Sequence, residues 1–217
     1  MQVINLDDII EKVRVYQSSS YALERLYQQT VGRRDIWDRL GEIDDSKTKD
    51  VVLEFLNKWK CRLSYDCVSG LTKTLRESSS LLSRFDKYRL EEISLDCLIA
   101  DSDIIEEVFK RIASVQAGRR TVGATATSKI LHLVNPNFFM MSDEKIRHGY
   151  GCCDNELGYM NFMWRMKLFA DAVIREYSNV RNVPVKSIFP NLVSECKSTA
   201  TTLPKLIDEY NWVKYHP

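Results

Sequence analysis

The chain is 217 residues long, carries a formal net charge of +1, and is 44% hydrophobic and 28% charged. A chain of this length can enclose one sizeable core, or two lobes around a cleft. No apolar run approaches the roughly 18 residues of a membrane span, and the acidic residues near the N-terminus are unlike a secretory signal. We therefore expect an intracellular, cytoplasmic protein with no membrane partner.

The six cysteines and three histidines do not form a metal-binding or disulfide pattern. No two cysteines stand in a Cys-x-x-Cys pair, and the histidines do not complete a metal-ligand spacing. A chain of this size can fold without disulfides, and cytosolic cysteines stay reduced. Cys152 and Cys153, beside Asp154 and His148, could bind a metal, although buried or incidental thiols are commoner. The sequence therefore predicts no metal and no cofactor.

Apolar residues recur at helical spacing through the first half of the chain. Asn5 caps the first predicted helix, with Asp7 and Asp8 in its positively charged first turn. The strongest amphipathic pattern begins at Ser46. The other predicted helices of this half are Tyr21 to Gln29, a segment opened by Arg33 and ended by Gly41, and two helices between Cys61 and Ser83 that join near Glu77 to Ser80.

The pattern continues on both sides of the middle of the chain. Leu90 to Ala100 fits either a helix or a buried extended segment. Asp101 or Ser102 caps the helix that follows. The longest predicted helix runs from Glu156 to about Tyr177, with methionines and aromatic residues on its apolar face.

The C-terminal region completes the predicted fold. Residues 180–190 fit a loop, residues 191–197 a short element, and Thr202 caps a terminal helix with Pro204 in its first turn. No alternating apolar pattern is long enough for a strand. We predict an all-α fold, a multi-helix globular unit spanning residues 1–217, with a candidate lobe boundary near residue 110.

Charge is distributed unevenly along this nearly neutral chain. Acids outnumber bases from Arg76 to Glu107, whereas bases outnumber acids from Lys110 to Arg147. A basic segment in a neutral chain is compatible with a local phosphate-binding face. The alternative is an ordinary solvated helix surface.

The stretch from Thr121 to Gly151 concentrates the features that bear on function. A glycine turn at Val122-Gly123 precedes small residues that begin a helix, followed by an apolar run, Pro136 and the carboxylate of Asp143. A helix N-terminus exposes unpaired N–H groups at the positive end of the helix dipole and so binds anions. The sequence therefore indicates an anion-binding turn close to a carboxylate.

These residues resemble the helix-hairpin-helix DNA glycosylases over about 30 positions, within a hairpin-like element at 104–151. In that family a lysine, or another residue in monofunctional members, stands two positions after the last hairpin glycine, and an aspartate follows about eighteen positions later. Thr125 and Asp143 occupy these two positions, eighteen residues apart. Arg119-Arg120 and Thr121 stand where the family has Leu-Pro and its first glycine.

The resemblance implies DNA as the partner, with RNA left open, and a flipped nucleotide in a cleft. Asp143 would stabilise positive charge on the sugar and orient water, and Thr125 at the lysine position implies base removal without strand cleavage. Lys129 is the nearby amine that could restore strand cleavage, or else a solvated or phosphate-facing lysine. The residues expected to contact nucleic acid are Arg119, Arg120, Thr121, Val122, Gly123, Ala124 and Arg147.

Alternatives remain at each position. Asp143 before Glu144 is also an ordinary helix cap, and Thr125 fits a helix start. Tyr150, Tyr159 and Trp164 fit either a base-stacking role or packing. Two other functions fit the sequence: a non-catalytic nucleic-acid-binding module, and a helical protein-interaction protein whose basic segment pairs internally with the acidic one.

Overall fold

A computed structural model describes residues 4–19 and 21–216, and it confirms the all-α prediction. Within that part of the chain the single sheet is a two-stranded ribbon. The helices before it are α1 (Leu6–Ser19), α2 (Tyr21–Val31), α3 (Arg34–Trp37), α4 (Asp45–Lys47), α5 (Glu54–Lys58), α6 (Val68–Leu82), α7 (Leu95–Ala100) and α8 (Ser102–Ala113). The ribbon, β1 (Gln116–Ala117) and β2 (Arg120–Thr121), leads into α9 (Gly123–Val134), α10 (Glu144–Gly149), α11 (Glu156–Arg181), α12 (Val185–Cys196) and α13 (Leu203–Tyr215).

Short helical segments complete the first half. A π-helical segment, Thr48–Leu53, joins α4 to α5 without a break. Three 3-10 segments lie at Leu40–Glu42, Tyr65–Cys67 and Ser83–Phe85. No helix of the described residues is both long enough and apolar enough to span a lipid bilayer.

Side chains cap several helices as the sequence predicts. The Asn5 side-chain oxygen accepts hydrogen bonds from the N–H groups of Asp7 and Asp8, at 3.0 and 3.2 Å. Thr202 caps α13 through the N–H of Lys205, and Pro204 lies in the first turn, where its missing N–H costs no helical hydrogen bond. Local side-chain chemistry therefore fixes where the first and the last helix begin.

Three helix boundaries differ from the prediction. Asp44, rather than Ser46, caps the helix that contains α4. Helix α6 runs unbroken through the serines near position 78, because Ser79 donates to the carbonyl of Arg76 inside the helix, and such bonding satisfies a serine hydroxyl without ending the helix. Helix α12 begins at Val185 and contains Pro190, which is exposed, so water can hydrate the carbonyl freed by the missing N–H.

The connection between α8 and α9 differs from the predicted tight turn. Gln116 pairs with Thr121 and Ala117 with Arg120, and Gly118 turns the ribbon at a φ of 70°. Two residues per strand are too few for an alternating apolar pattern to reveal. Residue 110, where the charge changes sign, lies inside α8.

Helix α9 passes through the middle of the core. Every residue from Ala126 to Val134 is buried, and the helix packs against α8, α2 and α11. Its N-terminal end is nearer the surface, because Thr121 and the two preceding residues of the ribbon are exposed. Helix α13 packs on α1 and α10, and His216, which follows it, lies next to Asp143 in the segment after α9.

Candidate functional site

A cavity of about 370 Å³ contains the three residues predicted to carry chemistry, Asp143, Thr125 and Lys129. Its walls come from helices far apart in sequence, including α1, α9 and α13. Besides those three residues, the side chains that matter most for its chemistry are Tyr16, Trp59, Asp208, Trp212 and His216. The fold therefore brings the predicted residues to one cavity together with residues that the sequence did not single out.

Asp143 is held at two oxygen atoms. Its Oδ1 accepts a hydrogen bond from the N–H of Ile146 at 2.9 Å, which caps α10, and its Oδ2 lies 2.9 Å from Nε2 of His216. The side chain remains 26% exposed. The Asp143 carboxylate thus caps α10 and lines the cavity at the same time, and its two contacts fix its orientation.

His216 belongs to this site although sequence analysis missed it. Its Nδ1 lies 3.0 Å from the carbonyl oxygen of Trp212, and its ring stacks on the indole of that residue. The ring therefore lies between two acceptors, the carbonyl of Trp212 and the carboxylate of Asp143. These contacts place the imidazole against Asp143 at the cavity.

A buried network joins the Asp143 segment to α9. The hydroxyl of Ser128 donates to the carbonyl of Ser142 at 2.9 Å and accepts from its N–H at 3.0 Å. Arg147 donates to the same carbonyl at 2.9 Å and to the Thr125 hydroxyl at 3.3 Å. These bonds fix the distance between the start of α9 and Asp143.

Arg147 therefore has a different role from the one predicted. Its side chain is only 2% exposed, and its guanidinium also binds Asp154 at 2.7 Å. A guanidinium enclosed in this way braces the site and does not reach a nucleic-acid phosphate. Asp154 also lies 3.3 Å from Nε2 of His148. The ligand atoms of Glu144, His148 and Asp154, three exposed side chains, lie within 4.8 Å of one another.

Lys129 is buried, not solvated. It is 7% exposed, and its Nζ donates to the carbonyl of Trp59 at 3.1 Å and lies 5.2 Å from the centre of that indole ring. The segment it holds contains Lys60 and Arg62, which both adopt left-handed backbone conformations, with φ of 63° and 54°. Such conformations are uncommon outside glycine and are often found at binding sites.

The N-terminus of α9 has the features of an anion-binding turn. Gly123 adopts a φ of 72°, and a Cβ at this position would meet no atom within 4 Å. Val122 offers no side-chain cap, so the first-turn N–H groups lack that partner. Arg119 and Arg120 are exposed on the adjoining ribbon and form no ion pair with any described residue. Thr121 is exposed beside them, whereas Val122 and Ala124 are buried. The N–H of Val122 already donates to the carbonyl of Val115 at 2.8 Å, so of these two buried residues only Ala124 can offer its backbone N–H.

The aromatic residues at the cavity are not the ones singled out from sequence. Tyr159 is fully buried and stacks on Phe109, and Tyr150 packs against Phe162 in the core. Trp164, which also packs against the core, does not line the cavity. The rings that do so are Tyr16, Trp59 and Trp212.

A second carboxyl group, Asp208 of α13, also lines the cavity. Burial raises its pKa from 3.8 to about 7, although the neighbouring Lys205 lowers it and Glu209 raises it further. Burial alone would lower the pKa of Lys205, but the surrounding carboxylates hold it well above its ordinary value. The only available sequence signal was that Lys205, Asp208 and Glu209 share one face of an otherwise apolar helix.

Comparisons with known proteins do not identify this chain. No protein-family model matches the sequence, and no curated protein or solved structure is significantly similar to it.

Proposed function

We propose that this protein removes a base from DNA by hydrolysing the N-glycosidic bond, as the resemblance to helix-hairpin-helix DNA glycosylases implies. The observation that carries the proposal is the position of Asp143. Its oriented carboxylate opens into a cavity that Thr125 and Lys129 also line. In this proposal Asp143 is the catalytic carboxylate.

The size and lining of the cavity support entry of a flipped nucleotide. A volume of about 370 Å³ falls within the range of about 300–1,000 Å³ found for small-molecule sites. The rings of Tyr16, Trp59 and Trp212 provide flat apolar surfaces, and bases stack on aromatic side chains. An enzyme that reacts at the bond between base and sugar must take the nucleotide out of the duplex, which requires such a pocket.

Asp143 would act on the sugar. Loss of the base leaves positive charge near C1′, and a carboxylate held beside that carbon stabilises it and accepts a proton from the attacking water. The Ile146 N–H and the His216 imidazole hold the carboxylate in a fixed orientation, so little reorganisation is needed during the reaction.

The DNA backbone would be held outside the cavity. The open first turn of α9, at Gly123, offers N–H groups to a phosphate, and Arg119 and Arg120 add charge nearby. Exposed Lys58, Lys60 and Lys145 also line the cavity and form no ion pair with any described residue. Contacts of this kind position the duplex and make its binding sensitive to salt.

Strand cleavage is not expected. Thr125 stands at the position of the family's lysine, and the Lys129 ammonium is occupied by the Trp59 carbonyl and indole ring. Excision should therefore leave an intact strand that breaks only on alkali treatment. Covalent trapping of the enzyme on DNA by borohydride would contradict this expectation.

The test is a panel of duplex oligonucleotides carrying uracil, oxidised, alkylated or mismatched bases, analysed with and without alkali. Asp143→Asn is the matched variant, because asparagine also caps helices and preserves the start of α10. We expect base loss with wild type on at least one substrate, and none with the variant. No product from any substrate would remove the enzymatic proposal.

A nucleic-acid-binding module without catalysis is the second candidate, favoured by the unpaired arginines of the ribbon. Of the basic segment, only Arg111 pairs with the acidic segment, through Glu107. The internal pairing expected of a pure protein-interaction role is therefore limited within the described residues. A module would bind DNA in a salt-sensitive manner, and Asp143→Asn would change none of its properties.

A further inference from the structure

A cluster of three carboxyl groups around a single ammonium group lies behind the cavity. Nζ of Lys205 is 3.0 Å from a carboxylate oxygen of Glu24 and of Glu209, but 3.9 Å from Asp208. All four side chains are at most 8% exposed. If every acid were ionised, the buried cluster would carry two uncompensated negative charges, which a low-dielectric interior strongly disfavours.

The hydrogen bonds indicate which acid keeps its proton. Burial raises the pKa of Glu209, but this carboxylate accepts hydrogen bonds from Lys205, from Gln17 at 2.8 Å and from Ser198 at 2.8 Å, and such bonds favour its ionised form. Glu24 accepts from Gln28 at 2.8 Å and is close to the ammonium group. Asp208 receives no hydrogen bond from any described residue and is farthest from Lys205. The neutral form is therefore favoured at Asp208.

Asp208 faces the same cavity as Asp143, in a different environment. Asp143 is 26% exposed and bound to a backbone N–H and to His216. The Asp208 side chain is 8% exposed and accepts no hydrogen bond from any described residue, and its counter-charges are Lys205 at 3.9 Å and, with a weaker effect, Lys129. Two carboxyl groups that face one cavity from such different environments are the usual arrangement of an acid and a stabilising carboxylate.

We propose that Asp208 is the acid that protonates the departing base in the reaction proposed above, on which this inference depends. The C1′–N bond breaks with its electron pair moving to the base, and the Asp208 carboxyl proton moves to a nitrogen or oxygen atom of that base. Water adds to C1′ and gives a proton to Asp143. Exchange with solvent then returns Asp143 to its ionised form and Asp208 to its neutral form, so one water is consumed in each turnover.

This assignment predicts how the rate depends on pH. The groups that face Asp208 electrostatically are, in chain order, Tyr16, Glu24, Tyr27, Lys129, Asp143, Lys205 and Glu209. Burial has the largest effect on the pKa of Asp208, and burial and these groups together leave the carboxyl group half protonated near pH 7. Excision of a base that needs protonation should therefore slow about tenfold for each pH unit above this value.

The experiment measures single-turnover release of a neutral base by wild type, Asp208→Asn and Asp96→Asn between about pH 5 and about pH 9. Asp96 is an exposed acid of α7 and serves as the control. We expect Asp208→Asn to be about 100-fold slower at about pH 6 and to lack the alkaline fall in rate. A rate within threefold of wild type, or an unchanged alkaline fall, would overturn the proposal.

A spectroscopic readout separates this proposal from the proposed function. The infrared carbonyl band of a protonated carboxyl group, present in wild type at about pH 6, should disappear in Asp208→Asn alone. Absence of that band from wild type would refute the protonated Asp208. A normal rate in Asp208→Asn, with no excision by Asp143→Asn, would remove this proposal and leave the proposed function standing. Without excision by any form of the protein, both would fail.

Discussion

Replacing Asp208 with asparagine is expected to stabilise the folded protein at neutral and alkaline pH. Burial raises the pKa of this carboxyl group from 3.8 to about 7, so the folded state binds its proton more tightly than the unfolded state does. Stability then falls as pH rises from about 4 to about 7, and the loss is complete above that range. The asparagine side chain does not ionise, so the variant does not lose stability over this pH range.

The size of the stabilisation follows from the pKa shift of Asp208. A change of about three pKa units at about 1.4 kcal/mol per unit gives an upper limit of about 4 kcal/mol for the stabilisation at about pH 8. At about pH 4 the two proteins should unfold with nearly equal free energies, because the acid is protonated in the folded state and only about half ionised in the unfolded state, so little stability has yet been lost. A gain in stability at the expense of activity is the usual result of replacing a strained functional residue.

Urea unfolding followed by circular dichroism, at several values from about pH 4 to about pH 8, measures this difference directly. Asp96→Asn is the control, because an exposed carboxylate should shift the free energy of unfolding by only about 0.5 kcal/mol at any pH. Parallel pH profiles for wild type and Asp208→Asn would refute the reasoning about the buried cluster.

Three further outcomes are expected. Lys205→Met should reduce the free energy of unfolding by about 3–5 kcal/mol near pH 7, because it leaves buried carboxylates unpaired; a loss below about 1 kcal/mol in urea titrations would contradict this. Gly158→Ala should cost about 2 kcal/mol or more in the same assay, since the new Cβ would overlap the carbonyl oxygen of Cys153; an unchanged unfolding midpoint would disprove this close contact. Replacing Arg119 and Arg120 together with alanine should lower the salt dependence of DNA binding by about two phosphate contacts in fluorescence anisotropy, and an unchanged slope would exclude them from the interface.

Much of the architecture could be predicted because it depends on local chemistry. Asn5 and Thr202 cap their helices as their positions near an apolar pattern predict. The eighteen-residue separation of Thr125 and Asp143 corresponds to helix α9 followed by a connecting segment. Ser128 and Arg147 both donate hydrogen bonds to the Ser142 carbonyl of that segment and so hold it against the helix. Features of this kind can be predicted because they depend on the spacing of residues within one short segment.

The rest of the site depends on contacts between distant segments. His216 and Asp208 enter the cavity because α13 packs on α1 and α10, and no local pattern indicates that packing. The sequence shows only that Arg147 belongs to a basic segment, and the fold is needed to show that its side chain is buried. The ribbon between α8 and α9 was missed because four residues carry no periodic signal.

The most direct measurement of the role proposed for Asp143 needs no knowledge of the damaged base. It compares binding to a duplex in which a positively charged pyrrolidine ring replaces one deoxyribose with binding to a duplex that carries a neutral tetrahydrofuran ring there. Because the charged ring mimics the cation formed as the base leaves, wild type should bind it at least about 100-fold more tightly. Asp143→Asn should lose that preference while binding the neutral duplex equally well. Equal affinity of wild type for the two duplexes, or an unchanged preference in Asp143→Asn, would contradict the role of Asp143 as the catalytic carboxylate.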